Sequence, residues 1–252
     1  MKSLVFKPIA GAVLIGLAAL LTSGSASAQA NLVSNGGFEQ LTAPLGLLDG
    51  IQLYDTALPT GWNTSANLTA NLIIGPSGNP FTNNWSGLSV AAGFQIPSPD
   101  GGNFVLSNGA SGAAVYNSSP ISQQVSGLTA GQSYTLTFFQ AASASQNQVN
   151  TAWWDVSFGG QTQSSVVMSN LPGSSTPWQV VTMSFVAGSS SQLLSFLANG
   201  TGPVGVSAIN ATLDGVSLVA TPVPEAGSWT LMLAGLACGG FVTIRRRPSD
   251  KP

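Results

Sequence analysis

No histidine occurs anywhere in this 252-residue chain, and Cys238 is its single cysteine. Without histidine the commonest general base, zinc ligand and physiological pH switch are all missing. A lone cysteine forms no internal disulfide and no thiolate cage. Charge is nearly as scarce. Six Lys+Arg and eight Asp+Glu make up 6% of the residues, against roughly 25% in an average soluble protein. Lys2 and Lys7 open the chain, Arg245, Arg246, Arg247 and Lys251 close it, and no basic residue lies between Pro8 and Ile244. The stretch 31–220 holds six acids (Glu39, Asp49, Asp55, Asp100, Asp155 and Asp214) and no base, a formal charge of −6. This excludes a nucleic-acid footprint, which demands clustered Lys and Arg. It also excludes clamping of phosphates by cationic side chains.

Enzyme chemistry fares little better. Nucleophilic triads lack their base, a Ser–Lys dyad lacks its lysine within 31–220, and no phosphate-cradling motif is present. Only a two-carboxylate glycosidase remains formally open, with Asp100 and Asp155 as the pair to consider, and no spacing cue joins them. The chain therefore reads as non-enzymatic. It does not read as disordered, because disorder pairs high net charge with few aromatics. Residues 31–220 carry five Trp, nine Phe and three Tyr, enough for a packed core.

Both ends look like address labels. Lys2 and Lys7 precede an apolar run from Ile9 to Leu21, then Ala26-Ser27-Ala28-Gln29-Ala30. That is the order of a secretory signal, predicted over 1–30 and cleaved after Ala28 or Ala30. At the other end Gly227–Ile244 is an 18-residue span without charge. As a helix it reaches about 27 Å, close to the thickness of a bilayer core. The arginines that follow stay cytoplasmic, which leaves the preceding domain outside and 245–252 as a basic tail.

Val223-Pro224-Glu225-Ala226, the apolar span, and Arg245-Arg246-Arg247 together resemble the PEP-CTERM sorting signal of Gram-negative bacteria. That signal usually reads Val-Pro-Glu-Pro, and this chain departs from it at Ala226. The resemblance implies recognition by an exosortase, a membrane transpeptidase, with cleavage near Pro224-Glu225. It further implies a destination at the cell surface or in an exopolysaccharide biofilm matrix.

Between the labels, 31–220 is long enough for one sizeable domain. Apolar and polar residues alternate in short runs: Ile121–Val125, Tyr134 to Phe138, Trp154 to Phe158, Val181 to Phe185, Leu194 to Ala198, and Val216 with Leu218. Asn35-Gly36, Asn108-Gly109 and Asn199-Gly200 read as turns, and 128–133 as a turn feeding the Tyr134 strand. The polar stretches 75–87 and 141–150 read as surface loops. Val219–Ala226, with its two prolines, reads as an extended linker, the domain ending at 220 and the motif-bearing piece covering 221–226. The expected fold is all-β, an antiparallel β-sandwich of jelly-roll type.

Several pieces in order resemble galactose-binding-like jelly rolls, which include carbohydrate-binding modules. They are Asn31 to Glu39, Leu58-Pro59-Thr60-Gly61-Trp62, Pro99 to Val105, Ile121 to Phe138, and Leu213-Asp214-Gly215-Val216-Ser217-Leu218. The resemblance implies a structural calcium held by Glu39 and Asp214, the alternative being two capped or solvated turn carboxylates. Electrostatics agree: carboxylates in a domain without cations need amides, water or a metal when buried, and calcium accepts irregular oxygen cages. Trp153 and Asp155 are the candidate glycan contacts. If Trp154, Val156 and Phe158 face the core, those two face outward, a ring for stacking beside an acceptor for hydroxyls. Trp85, in the polar run Asn83 to Ser86, is a second candidate. Packing under a neighbouring loop is the alternative for both tryptophans. The expected role is carbohydrate association, with a structural or adhesive surface protein as the alternative.

Overall fold

The computed structural model describes residues 29–43, 51–53, 58–64, 71–75, 98–109, 119–144, 149–171, 174–202 and 209–222. The signal segment, Trp85, the Val223–Ala226 motif, the apolar span and the arginines lie outside the described residues. Among the described residues no helix is long and apolar enough to cross a membrane. Every regular element there is a strand. In chain order these are β1 (Ile51–Leu53), β2 (Asn63–Thr64), β3 (Asn71–Ile74), β4 (Phe104–Gly109), β5 (Ile121–Ser126), β6 (Ser133–Ala144), β7 (Asn150–Phe158), β8 (Gln161–Ser164), β9 (Met168–Asn170), β10 (Gln179–Val186), β11 (Ser191–Thr201) and β12 (Ile209–Ala220). Two antiparallel sheets result. The first runs β1-β3-β4-β12-β6-β10, and the second β2-β5-β11-β7-β8, with β9 pairing the opening of β7.

Period-two patterning places the core. Along β7, Asn150, Ala152, Trp154, Val156 and Phe158 are buried while the residues between them are partly exposed. β10 and β11 repeat the alternation. The inner faces meet through Trp154, Phe158, Leu194 and Phe196 on one side and Leu136, Phe138, Ala211 and Leu213 on the other. Phe196 takes Phe138 edge-on at 5.2 Å. The Trp154 indole crosses the core and donates Nε1–H to the Thr212 carbonyl at 3.0 Å, which satisfies the one polar group of a fully buried ring.

Three local expectations are corrected. Asn108-Gly109 and Asn199-Gly200 are not turns but lie inside β4 and β11. Gly109 serves close approach instead: a Cβ there would lie 2.9 Å from the Asn199 carbonyl carbon of the facing sheet. Residues 141–144 are not loop but the end of β6, where Ala141 and Ala142 are fully buried. Thr176 closes that end, its hydroxyl accepting the Ala142 amide at 2.8 Å. Val219 and Ala220 belong to β12 rather than to a linker.

The two outer faces differ. On the first sheet, Ile74 pairs Phe104, and Leu106 pairs Thr212, which pairs Ala141; all five are buried although they point away from the core. The unbroken apolar run Phe104-Val105-Leu106 reflects burial on both faces. On the second sheet, Ser122, Trp153, Asp155, Ser157, Ser195 and Leu197 are half-exposed. Among the described residues, the first outer face is open along β10 and partly along β6, and the second along β5, β7 and β11.

Candidate functional site

Glu39 and Asp214 lie at opposite ends of the domain sequence and meet at one corner of the first sheet. The N-terminal segment runs beside β12, with the Leu32 amide donating to the Leu218 carbonyl at 2.9 Å and the Val216 amide to the Gly36 carbonyl at 3.0 Å. β12 bulges between Asp214 and Ser217, where Gly215 takes the left-handed φ of 57° that favours glycine. Phe38 also has a positive φ, 59°, an outlier for a bulky residue. It is held there by a fully buried ring 5.1 Å from Trp62 and by the Asn103 side-chain amide, which donates to its carbonyl at 3.1 Å. This kink turns Glu39 toward the 98–103 turn, where its Oε1 accepts the Asn103 amide at 2.7 Å.

Asp214 is fully buried. Its Oδ2 accepts a hydrogen bond from the Ser98 hydroxyl, and its Oδ1 has no hydrogen-bond partner among the described residues. Burial pushes its carboxyl from 3.8 up to about 8, opposed by the Ser98 hydroxyl and the Gly215 amide and reinforced by the negative charges of Asp100 and Glu39. No cationic side chain occurs in the described residues to relieve it. Asp100 stands against the same corner: its Oδ2 lies 2.7 Å from where a Cβ on Gly37 would sit. A buried, orphaned carboxylate oxygen beside two further acids suits a hard cation. Among the described residues no three acidic side chains close into a metal cage by themselves. A calcium here would therefore take carboxylate oxygens of Glu39 and Asp214 together with neutral oxygens. Asp100 and Ser98 were not foreseen as members of this corner. The glycine-rich turn Pro99-Asp100-Gly101-Gly102 was the available signal, since Gly102 is where a Cβ would overlap the Glu39 carboxylate.

The open face of the second sheet carries Trp153 and Asp155. Trp153 lies opposite Asn199, and Asp155 opposite Leu197 and Ser164. The Asp155 carboxylate is pinned from both sides, Oδ2 by the Asn199 amide at 2.8 Å and Oδ1 by the Ser164 hydroxyl at 2.6 Å. Trp154, next in sequence, points the other way into the core. The glycosidase pairing is corrected: Asp155 sits on the second sheet's outer face while Asp100 sits beside Asp214, so the two share no cleft. Asp214 has a raised carboxyl of the kind a general acid needs, but it is sealed from solvent.

Comparison with known proteins adds distant likenesses. Residues 90–209, just under half of the chain, match a family model described as a protein of unknown function, DUF642. No curated protein matches. Among solved structures, TmCBM61 in complex with beta-1,4-galactotriose aligns at 17% identity and a TM-score of 0.41, over 76% of this chain and 99% of that one. The CBM22-1 xylan-binding domain of Xyn10C from Paenibacillus barcinonensis aligns at 14% identity and a TM-score of 0.35, over 79% and 100%. The K1 cleaved adhesin domain of Lys-gingipain from Porphyromonas gingivalis aligns at 12% identity and a TM-score of 0.38, over 68% and 98%.

Proposed function

We propose that this chain is an exported, non-catalytic module of jelly-roll type that associates with carbohydrate at the cell surface or in an extracellular matrix. The observation that supports it is the open face of the second sheet, where the Trp153 ring lies beside a carboxylate oriented by Asn199 and Ser164. A half-exposed indole stacks on the apolar face of a sugar ring, and an oriented carboxylate accepts its hydroxyls. Calcium held by Glu39 and Asp214, with Asp100 and Ser98 at the same corner, is proposed to be structural: it neutralises the buried Asp214 and ties the N-terminal segment to the last strand. The termini support export and sorting by an exosortase through Val223–Ala226 and Arg245–Arg247.

The test is co-sedimentation of the full chain, purified in mild detergent, with insoluble polysaccharides, in calcium and in EGTA. Saturable retention lost in Trp153→Ala, with an unchanged melting temperature, is the expected result. A folded chain retained by no polysaccharide contradicts the reading.

A structural or adhesive role is the second reading, favoured by one feature. β10 is an uncharged edge strand. The Gln161 and Gln163 side-chain amides cap the Val186 and Ser184 carbonyls at 2.6 Å each, while Val180 at its other end is 64% exposed. Edges of this kind invite strand pairing between copies. Concentration-dependent association abolished by Val180→Lys, without saturable glycan binding, would select this reading.

A further inference from the structure

Small polar side chains line up across the whole second sheet. Asn63 pairs Ser122, Ser122 pairs Ser195, Ser195 pairs Ser157, and Ser157 pairs Thr162. All five occupy the outer face and are exposed or half-exposed. With strands spaced by ~4.8 Å, the row extends ~19 Å perpendicular to the strands. Larger side chains stand on either side of it. On β11, Leu193 and Leu197 flank Ser195, one two residues before it and one two residues after it, and Leu193 is 49% exposed. Gln124 lies opposite Leu193, and Asp155 opposite Leu197. Four residues of strand separate the two leucines by ~13 Å, so at β5 and β11 the serine row is the floor of a trough with partly apolar walls, open on the Leu193 side at Gly159 and Gly160.

We infer that this trough seats one extended, neutral glycan chain laid across the strands. The inference rests on the carbohydrate-associating function proposed above and names its ligand class. Floor hydroxyls both donate and accept, as sugar hydroxyls require, and leucine walls meet the C–H faces of the rings. The Ser157 and Thr162 hydroxyls already bond each other at 2.9 Å, which fixes the floor at that end. Selection for neutral chains follows from charge. No Lys, Arg or His lies between residues 8 and 244 to pair a uronate or sulfate, and among the described residues the one ionisable group on the wall is the Asp155 carboxylate. Ligand length follows from geometry, because a disaccharide covers only part of a five-strand floor while a longer oligosaccharide spans it.

The test is affinity electrophoresis and titration of the full chain with neutral polymers (xylan, galactan, mixed-linkage glucan), acidic polymers (alginate, polygalacturonate) and neutral oligosaccharides of two to six sugars. At least one neutral polymer should bind, with hexasaccharides held ~10-fold or more tighter than disaccharides. Ser195→Glu and Ser122→Glu, placed on separate strands of the row, should each weaken it ~10-fold or more at unchanged melting temperature. Neutral binding that survives both substitutions but is lost in Trp153→Ala overturns the trough and leaves the carbohydrate reading standing. Acidic polymers bound as tightly as neutral ones overturn the selection for neutral chains. No binding to any neutral glycan by a folded chain overturns both readings together.

Discussion

Asp214 should make this domain lose stability as the pH rises, unless calcium is present. Its carboxyl titrates near 3.8 in the unfolded chain and near 8 in the folded one. The folded state therefore holds its proton through a window in which the unfolded state has released it. Stability from this group is fully present below about pH 4 and is lost progressively as the pH climbs to about 8. At about 1.4 kcal/mol per pH unit, the whole window is worth roughly 6 kcal/mol. For a domain of this size that corresponds to a fall in melting temperature on the order of 10 °C. Calcium bound by the ionised carboxylates, as proposed above, would stabilise only the folded chain and offset the loss. The difference between melts in calcium and in EGTA should accordingly widen from pH 5 to pH 8. The assay is thermal unfolding followed by near-ultraviolet circular dichroism at pH 5, 6, 7 and 8 under both conditions. Asp214→Asn is the internal control, with a flatter pH profile in EGTA and little response to calcium. Wild-type melts in EGTA that stay level or rise from pH 5 to pH 8 refute the reasoning.

Other outcomes follow from single contacts. Gly102→Ala places a methyl into the Glu39 carboxylate at a φ of 66° and should cost roughly 2 kcal/mol or more, read by urea denaturation, with a loss of calcium response. Trp154→Phe removes the donor to the Thr212 carbonyl and should cost about 1–3 kcal/mol in the same assay, because a buried acceptor is left without its partner. Asn199→Ala frees one oxygen of Asp155; it should weaken glycan retention several-fold while moving the melting temperature by no more than a few degrees, since the pair is only partly buried.

The strands were legible where one face of the sheet is wet. β5, β7, β10 and β11 alternate buried and exposed residues, and their sequences alternate with them. β4 is a harder case: both of its faces are covered, so Phe104-Val105-Leu106 carries no period. Asn108-Gly109 and Asn199-Gly200 misled for a related reason, whereas Asn35-Gly36 does sit in a turn. Glycine marks tight turns, but it also marks places where two backbones approach, and at Gly109 the second cause operates. Ala141 and Ala142 resemble loop composition until their burial is seen. At the acidic corner, the link from Glu39 to Asp214 came through family resemblance. The roles of Ser98 and Asp100 depend on a turn that folds back onto β12, and no local pattern in the sequence encodes that contact. The outward direction of Trp153 and Asp155 followed from β7's alternation, whereas the pinning of Asp155 by Asn199 and Ser164 depends on the register between strands.

The central claim is that the Trp153 face engages carbohydrate, and fluorescence titration tests it most directly. The full chain is titrated with soluble neutral oligosaccharides while tryptophan emission is recorded for wild type and for Trp153→Phe. Stacking of a sugar on a half-exposed indole excludes water from it, so the account predicts a saturable blue shift in the wild type that is absent from the variant. A wild-type spectrum unchanged at saturating glycan, or an identical shift in Trp153→Phe, would contradict it.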